Sequence, residues 1–299
     1  MSDPLLRRIS LATGVALDVA IAGDPAKPAI FLLHGFPESH RTWRHQIPEL
    51  ARDYFVVAPD QRGFARSSKP EGVDSYGPGK AAGDLLALAD HLGVGRFTLV
   101  GHDWGGAIAW MAALQNPQRV ARLIIVNAPH PLVFQRALFD DPAQRKASQY
   151  ITRFRDTTID QGLVGAGLER FFASTFTRHL VSAVAGEDKA AYLDEWSQPG
   201  AMTAMLNWYR ASPIVVPAPD AEPERPAWLD APFPPIVQPT LVIWGMRDFA
   251  LLPGQLALAD LVPDLTIARI EDGGHFVPWE KPEAVTAAMR KWLAAHPVR

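Results

Sequence analysis

Cysteine is missing from all 299 residues. No disulfide can form, and neither thiolate catalysis nor a thiolate metal centre is open to the chain. An excess of positive charge is missing too: 29 Lys and Arg stand against 32 Asp and Glu, for a formal net charge of −3. Nothing in that balance draws the protein to nucleic acid or to an anionic membrane. Long apolar runs are also absent. The longest, "AIFLLHGF" and "RLIIVNAP", fall far short of the ~20 residues of a membrane span. The opening "MSDPLLRRIS" has no apolar stretch of the kind a secretory leader needs. A cytoplasmic protein is expected, with no membrane partner. No internal repeat stands out.

What is present is an ordinary globular composition, 48% hydrophobic and 20% charged, in a chain long enough for one large domain or a core with an insertion. Short apolar runs alternate with helical patterns. "PAIFLLHG", "YFVVAPD", "RFTLVGHD", "ARLIIVNAP", "PTLVIWGMRD" and "LTIARIEDGG" read as strands. "TWRHQIPELAR", with Trp43, Ile47 and Leu50 on one stripe, reads as a helix, as do "GKAAGDLLALADHLG", "GGAIAWMAALQNP", "GQLALADLV" and "PEAVTAAMRKWLAAH". The alternation predicts βαβ units around a mostly parallel sheet flanked by helices. It lapses over residues 131–231, which read as mainly helical and end in a proline-rich return, "SPIVVPAPDAEPERPAWLDAPFPPIVQP". Proline at that density forbids regular helix. The predicted organisation is a core of residues 1–130 and 232–299 with a helical cap, 131–231, inserted between them.

The chemistry centres on "LVGHDWGGAIAW", residues 99–110. Gly101 and Gly105 flank Asp103 between a strand and a helix. Small neighbours permit a tight turn that thrusts the central side chain out at the C-terminal edge of the sheet, where open α/β sheets place their ligands. Asp248 closes the strand "LVIWGMRD", and His275 follows "LTIARIEDGG". Both lie past strand ends on the same edge, giving the order nucleophile, acid, histidine. "HGFPE", residues 34–38, follows another strand; from it the Phe36 N–H, with the N–H of Trp104, forms a candidate oxyanion hole. Of the remaining histidines, His34, His102 and His130 are expected to hydrogen-bond inside turns, and Arg62 and Asp60 to hold the turn "DQRGFARSSKP".

A carboxylate at such a turn is chemically informative. A serine attacking a saturated carbon leaves an ether, which water does not cleave. An aspartate leaves an ester, which a histidine-activated water does. Asp103 therefore points to an electrophilic sp³ carbon and covalent catalysis in two steps.

Taken together, "HGFPE", "APDQRGFARSSKP", "GHDWGG", "NAPHP", "WGMRD" and "GGH" resemble the α/β-hydrolase fold over essentially the whole chain, and within it the epoxide hydrolases. The resemblance implies hydrolysis of an epoxide to a vicinal diol, with Asp103 as nucleophile and Asp248 and His275 as the relay pair. It implies a small-molecule epoxide and water as partners and no metal or organic cofactor. It also implies two cap tyrosines that hold the epoxide oxygen: Tyr209 in "LNWYR" and Tyr150 in "ASQYITRF", with Tyr192 in "AAYLDEW" as the spare candidate. "HDWG" resembles the haloalkane dehalogenases as well, and "HGFP" the haloacetate dehalogenases. The former usually carry Asn where Phe36 stands, and the latter Arg where Trp104 stands. A ligand receptor on the same fold is the non-enzymatic alternative.

Overall fold

The computed structural model describes residues 4–177 and 186–298. Its centre is an eight-stranded sheet: β1 (Leu5–Ser10), β2 (Ala16–Ala22), β3 (Ala29–Leu33), β4 (Phe55–Pro59), β5 (Phe97–His102), β6 (Val120–Val126), β7 (Thr240–Gly245) and β8 (Leu265–Ile270). The spatial order is β1-β2-β4-β3-β5-β6-β7-β8. β1 and β2, and β2 and β4, pair antiparallel; every other neighbour pair is parallel. Strands β3 to β7 are buried along their whole length. Covered on both faces, such strands carry continuous Ile, Leu and Val rather than an alternating pattern. The outer strands differ: β1, "LLRRIS", is exposed at all positions but one. It has the charged, uneven look of a protected edge rather than of a core run.

Helices cover both faces. The first stretch, read as one helix, is two pieces: a turn at His40–Trp43 capped by the Ser39 side chain, then α1 (Gln46–Leu50). Pro48 lacks the N–H that a continuous helix would direct at the Arg44 carbonyl. Trp43, Ile47 and Leu50 are nonetheless all buried, as the stripe predicts. α2 (Pro78–His91) and α3 (Trp104–Gln115) follow the expected lines. "GQLALADLV" does not form the expected helix: only a single turn, Pro253–Leu256, is made. Pro253 opens the turn at a position where proline is tolerated, but Pro263 closes the stretch, and the residue before a proline is pushed out of helical backbone. Too few residues are left to offset helix nucleation. Leu258 and Val262 are still buried, anchoring an irregular loop.

Between β6 and β7 the chain leaves the sheet. It forms α4 (Pro131–Asp140), α5 (Pro142–Ala147), α6 (Gln149–Arg155), α7 (Ala166–Phe172), α8 (Gly186–Ser197) and α9 (Ala201–Arg210). The proline-rich return contains one short turn, Ala227–Asp230. The chain closes with α10 (Val277–Glu280) and α11 (Pro282–Ala295). The extreme ends of the predicted core, and residues 178–185 of the inserted stretch, lie outside the described residues. No helix among the described residues is long and apolar enough to cross a membrane.

The inserted helices are tied to the loops that follow β3 and β4. The Trp196 indole donates to the Pro37 carbonyl (2.8 Å) and the Trp208 indole to the Arg62 carbonyl (3.1 Å). Arg62 in turn makes a buried two-point ion pair with Asp84 on α2, at 2.6 and 2.7 Å. Removing one partner leaves a buried charge uncompensated. Arg62→Ala is expected to cost about 3–5 kcal/mol of folding stability, read as a lowered midpoint in urea denaturation.

Candidate active site

Asp103 sits between β5 and α3 with φ +50° and ψ −120°, a conformation that side chains other than glycine rarely take. Close approach of backbone makes the turn possible. A Cβ on Gly101 would lie 2.3 Å from the Gly105 carbonyl oxygen, and one on Gly35 would lie 2.4 Å from the Asp103 Cβ. The Phe36 N–H donates to Asp103 Oδ1 at 2.8 Å. The Trp104 N–H heads α3, where a helix has no i−4 acceptor to offer it. Phe36 and Asp103 are thus in contact as expected, while Trp104 supplies the adjacent backbone donor.

The other carboxylate oxygen, Oδ2, lies 3.6 Å from His275 Nε2. On the far side of the ring, His275 Nδ1 is 2.8 Å from Asp248 Oδ2. The three residues expected to act together are therefore aligned: carboxylate, imidazole, carboxylate. Asp248 is fully enclosed by donors. Its Oδ1 accepts from the Ala250 and Leu251 N–H groups, both at 2.9 Å, and its Oδ2 also accepts from Asn127 Nδ2 at 2.8 Å.

These contacts set the protonation states. Burial alone would raise the Asp248 carboxyl, but the neighbouring His275 charge and the hydrogen bonds hold it below the usual carboxylate value. Burial alone would likewise lower His275. The Asp248 charge and hydrogen bond, then the charges of Asp103 and Glu38, overcome this and raise it to about 9. At pH 7 the imidazole is protonated and balances the carboxylates around it.

Asp103 and His275 open onto a cavity of about 670 Å³, whose roof comes from α6, α7 and α9. Tyr150 and Tyr209 both line it. Their rings meet edge to face at 6.1 Å, and Tyr209 also packs against Phe36 and Trp104 at 5.0 and 5.1 Å. Burial, followed by the Asp103 charge, pushes both phenols well above their ordinary value. Both are O–H donors at neutral pH. Tyr192, the spare candidate, does not line the cavity. It is buried among Phe176, Trp196 and Trp279.

Two groups beside this constellation were not singled out from the sequence. Asn127, at φ +38°, bridges β6 to β7 by accepting from the Gly245 N–H at 2.8 Å while it holds Asp248. Its only sequence signal is its place just past a strand end. Glu38 is buried with His102: Glu38 Oε2 lies 3.2 Å from His102 Nδ1, and His102 Nε2 donates to the His275 carbonyl at 2.8 Å. His102 therefore does not bond within its own turn, as expected, but reaches across to His275. His34 does bond locally: it accepts from the Gln61 N–H at 3.0 Å, and its Nδ1 lies 2.9 Å from the Gly35 carbonyl. His130 caps α4.

With this geometry in view, the chain matches the family model for the alpha/beta hydrolase fold over residues 28–282. It is 35% identical to the AB hydrolase superfamily protein YfhM of Bacillus subtilis, over 94% of this chain and 95% of that one. It is 31% identical to epoxide hydrolase A of Mycobacterium tuberculosis over the full length of both. It is similar also to a solved structure from a set of novel epoxide hydrolases in metagenomes of hot environments, with 48% identity and a TM-score of 0.92 over 99% of this chain and 100% of that one.

The charge of Asp248 dominates the upward forces on His275. In Asp248→Asn the imidazole titration, followed by NMR, is expected to fall well below about 9.

Proposed function

The chain belongs to the alpha/beta hydrolase fold family and, within it, to the epoxide hydrolases, and from that premise we propose that it opens an epoxide on Asp103 and releases a vicinal diol. The observation that carries the reading is the placement of one strained carboxylate between a backbone donor, an imidazole and two protonated phenols.

The two Asp103 oxygens have different surroundings. Oδ1 is held by the Phe36 N–H, and Oδ2 faces the imidazole and the cavity. Oδ2 is then the attacking atom. It displaces the ring oxygen from one oxirane carbon, and Tyr150 or Tyr209 delivers a proton to the oxygen that leaves. Such acid assistance is typically worth 10²–10⁴-fold. The product is an alkyl ester whose carbonyl oxygen, Oδ1, already sits on its donor.

Alkylation cancels the Asp103 charge. One of the forces holding His275 protonated disappears with it, so the imidazole becomes more acidic when a base is needed. Its proton leaves, restoring the phenol directly or through water. Neutral His275, oriented by Asp248, then takes a proton from water, and the hydroxide attacks the Asp103 Cγ. The Phe36 and Trp104 N–H groups stabilise the oxyanion, each worth about 3 kcal/mol. Collapse of the tetrahedral intermediate frees the diol alkoxide, which takes the proton from His275, and the Asp103 acid left behind passes its own proton to the neutral imidazole. Epoxide and water are consumed, one diol is formed, and the carboxylate is restored.

In this reading the helices of residues 131–231 are a cap that shuts water away from the ring-opening step, and the protein works in the cytoplasm. Phe36 in place of a side-chain amide, together with the phenol pair, favours a ring oxygen over a halide as leaving group.

Asp103→Ala is expected to abolish diol formation. His275→Gln is expected to stop after the first step, leaving a mass increase of one substrate on the Asp103 peptide. Tyr150→Phe and Tyr209→Phe should each slow ring opening by about 10²–10⁴-fold. Halide release from haloalkanes without diol formation from any epoxide would overturn the reading. In single-turnover experiments, hydrolysis of the ester should accelerate with rising pH, with a midpoint below the value of about 9 set for the free enzyme. A midpoint at or above that value would contradict the charge-cancellation step.

A further inference from the structure

One carboxylate beside His275 has no part in the reaction as written. His275 stands in "GGHFVPWEKPE", on the loop that joins β8 to α10. Glu280 is the last residue of α10. The single turn of that helix, closed by the Glu280 N–H on the Phe276 carbonyl at 3.0 Å, brings its side chain back over the loop. Glu280 Oε2 accepts from the Gly274 N–H and Oε1 from the Phe276 N–H, both at 2.8 Å. One carboxylate thus grips the chain immediately before and immediately after His275. The fit is close: a Cβ on Gly274 would lie 2.8 and 2.9 Å from the two Glu280 oxygens, so glycine leaves the room the carboxylate needs.

The loop needs such a grip. Gly273 and Gly274 precede His275, and glycine has more backbone freedom to lose than any other residue. The ring is hydrogen-bonded at Nδ1, to Asp248 at 2.8 Å. Nε2 stands 3.6 Å from Asp103 Oδ2, beyond hydrogen-bond length. A bond at one ring atom is a pivot, and the direction of the other nitrogen then depends on where the backbone sits. The neighbouring carbonyls are held from elsewhere: that of Gly273 by the Arg247 N–H and that of His275 by His102 Nε2, both at 2.8 Å. Glu280 holds the N–H groups. An ionised carboxylate suits the task because both of its oxygens accept.

We propose that Glu280 is a positioning residue: by gripping the Gly274 and Phe276 N–H groups it aims His275 Nε2 at the water that hydrolyses the Asp103 ester. This rests on the epoxide-hydrolase reading of Asp103. The effect falls on one step. Ring opening uses Asp103 and the phenols, whereas ester hydrolysis needs an aimed imidazole. A misplacement of about 1 Å is enough to cost about 10²-fold.

Glu280→Gln separates aim from charge, because the two act with opposite sign. Removing a negative charge near His275 makes the imidazole easier to deprotonate, which by itself speeds ester hydrolysis at neutral pH. Losing the grip slows it. The amide offers one acceptor, and its NH₂ group confronts the second N–H.

The test follows the mass of the intact full-length protein after rapid quenching, with styrene oxide or the best of a panel of aryl- and alkyl-epoxides. It yields separate rate constants for ester formation and ester decay. In Glu280→Gln, decay is expected to slow roughly ten- to hundredfold, both at pH 7 and above pH 9, where the imidazole is neutral. Formation should stay within about threefold of wild type. A misfolded fraction lowers the amplitude of ester formation and leaves the decay constant unchanged. Without substrate, hydrogen exchange at the Gly274 and Phe276 amides should quicken in the variant. Unchanged or faster decay, an equal fall in both rate constants, or unchanged exchange at the two amides would each overturn the proposal and leave the epoxide reading intact. Failure of the wild-type protein to form an ester with any epoxide of the panel would instead sink the epoxide reading, and the proposal with it.

Discussion

The hydrogen bond from the Phe36 N–H to Asp103 Oδ1, at 2.8 Å, joins the two halves of the site. One half is the loop after β3, the other the turn after β5, and the two strands are parallel neighbours in the sheet. For the bond to form, Asp103 must hold a backbone conformation that costs of order 1–3 kcal/mol, and Gly35 must leave its Cβ position empty because Asp103 occupies it. The sheet supplies the rigidity that sustains this strain. The same bond makes the two carboxylate oxygens inequivalent, and in the proposed reaction it leaves Oδ2 as the one that attacks.

Around that carboxylate the charges balance as a set rather than in pairs. Asp103, Asp248 and Glu38 surround one imidazole and together hold it protonated. Asp248 can stay ionised in the interior because four donors surround it, three of them built from Asn127 and the backbone after β7. The same negative field, added to burial, keeps the two phenols from ionising. A change of charge at Asp103 is therefore felt by the imidazole and by both phenols at once. In the proposed reaction, that coupling lets one esterification convert His275 from counter-ion to base.

The inserted helices take part in this arrangement through the same loops that shape the site. Pro37, next to Phe36, receives the Trp196 indole; Arg62 receives the Trp208 indole and anchors on Asp84. Arg41, in the first turn after the β3 loop, pairs with Glu195 on α8 at 2.9 Å. The motif loops thus serve twice: one side of each loop faces Asp103 or supports its surroundings, and the other receives the helices that roof the cavity.

Local pattern on the chain was enough to determine the core of the sheet and the order in which Asp103, Asp248 and His275 reach its edge. Strands β3 to β7 carry largely apolar runs because they are covered by helices, and that continuity is visible without coordinates. Gly101, Asp103 and Gly105 declare a tight turn, since only small residues tolerate such backbone approach. The β1–β2 hairpin escaped notice because edge strands carry charge and lack that run. "GQLALADLV" misled because helical spacing is preserved in a loop that Pro263 cuts short. Distance, charge and direction were left to the tertiary structure. It alone set Tyr150 against the cavity and Tyr192 away from it, since both lie on the inserted helices and only packing separates a wall from an interior. It alone brought Asn127 to Asp248, and Glu38 and His102 to His275. Those partners are far apart along the chain or on different helices. Only the folded chain sets the charges that each titrating group meets.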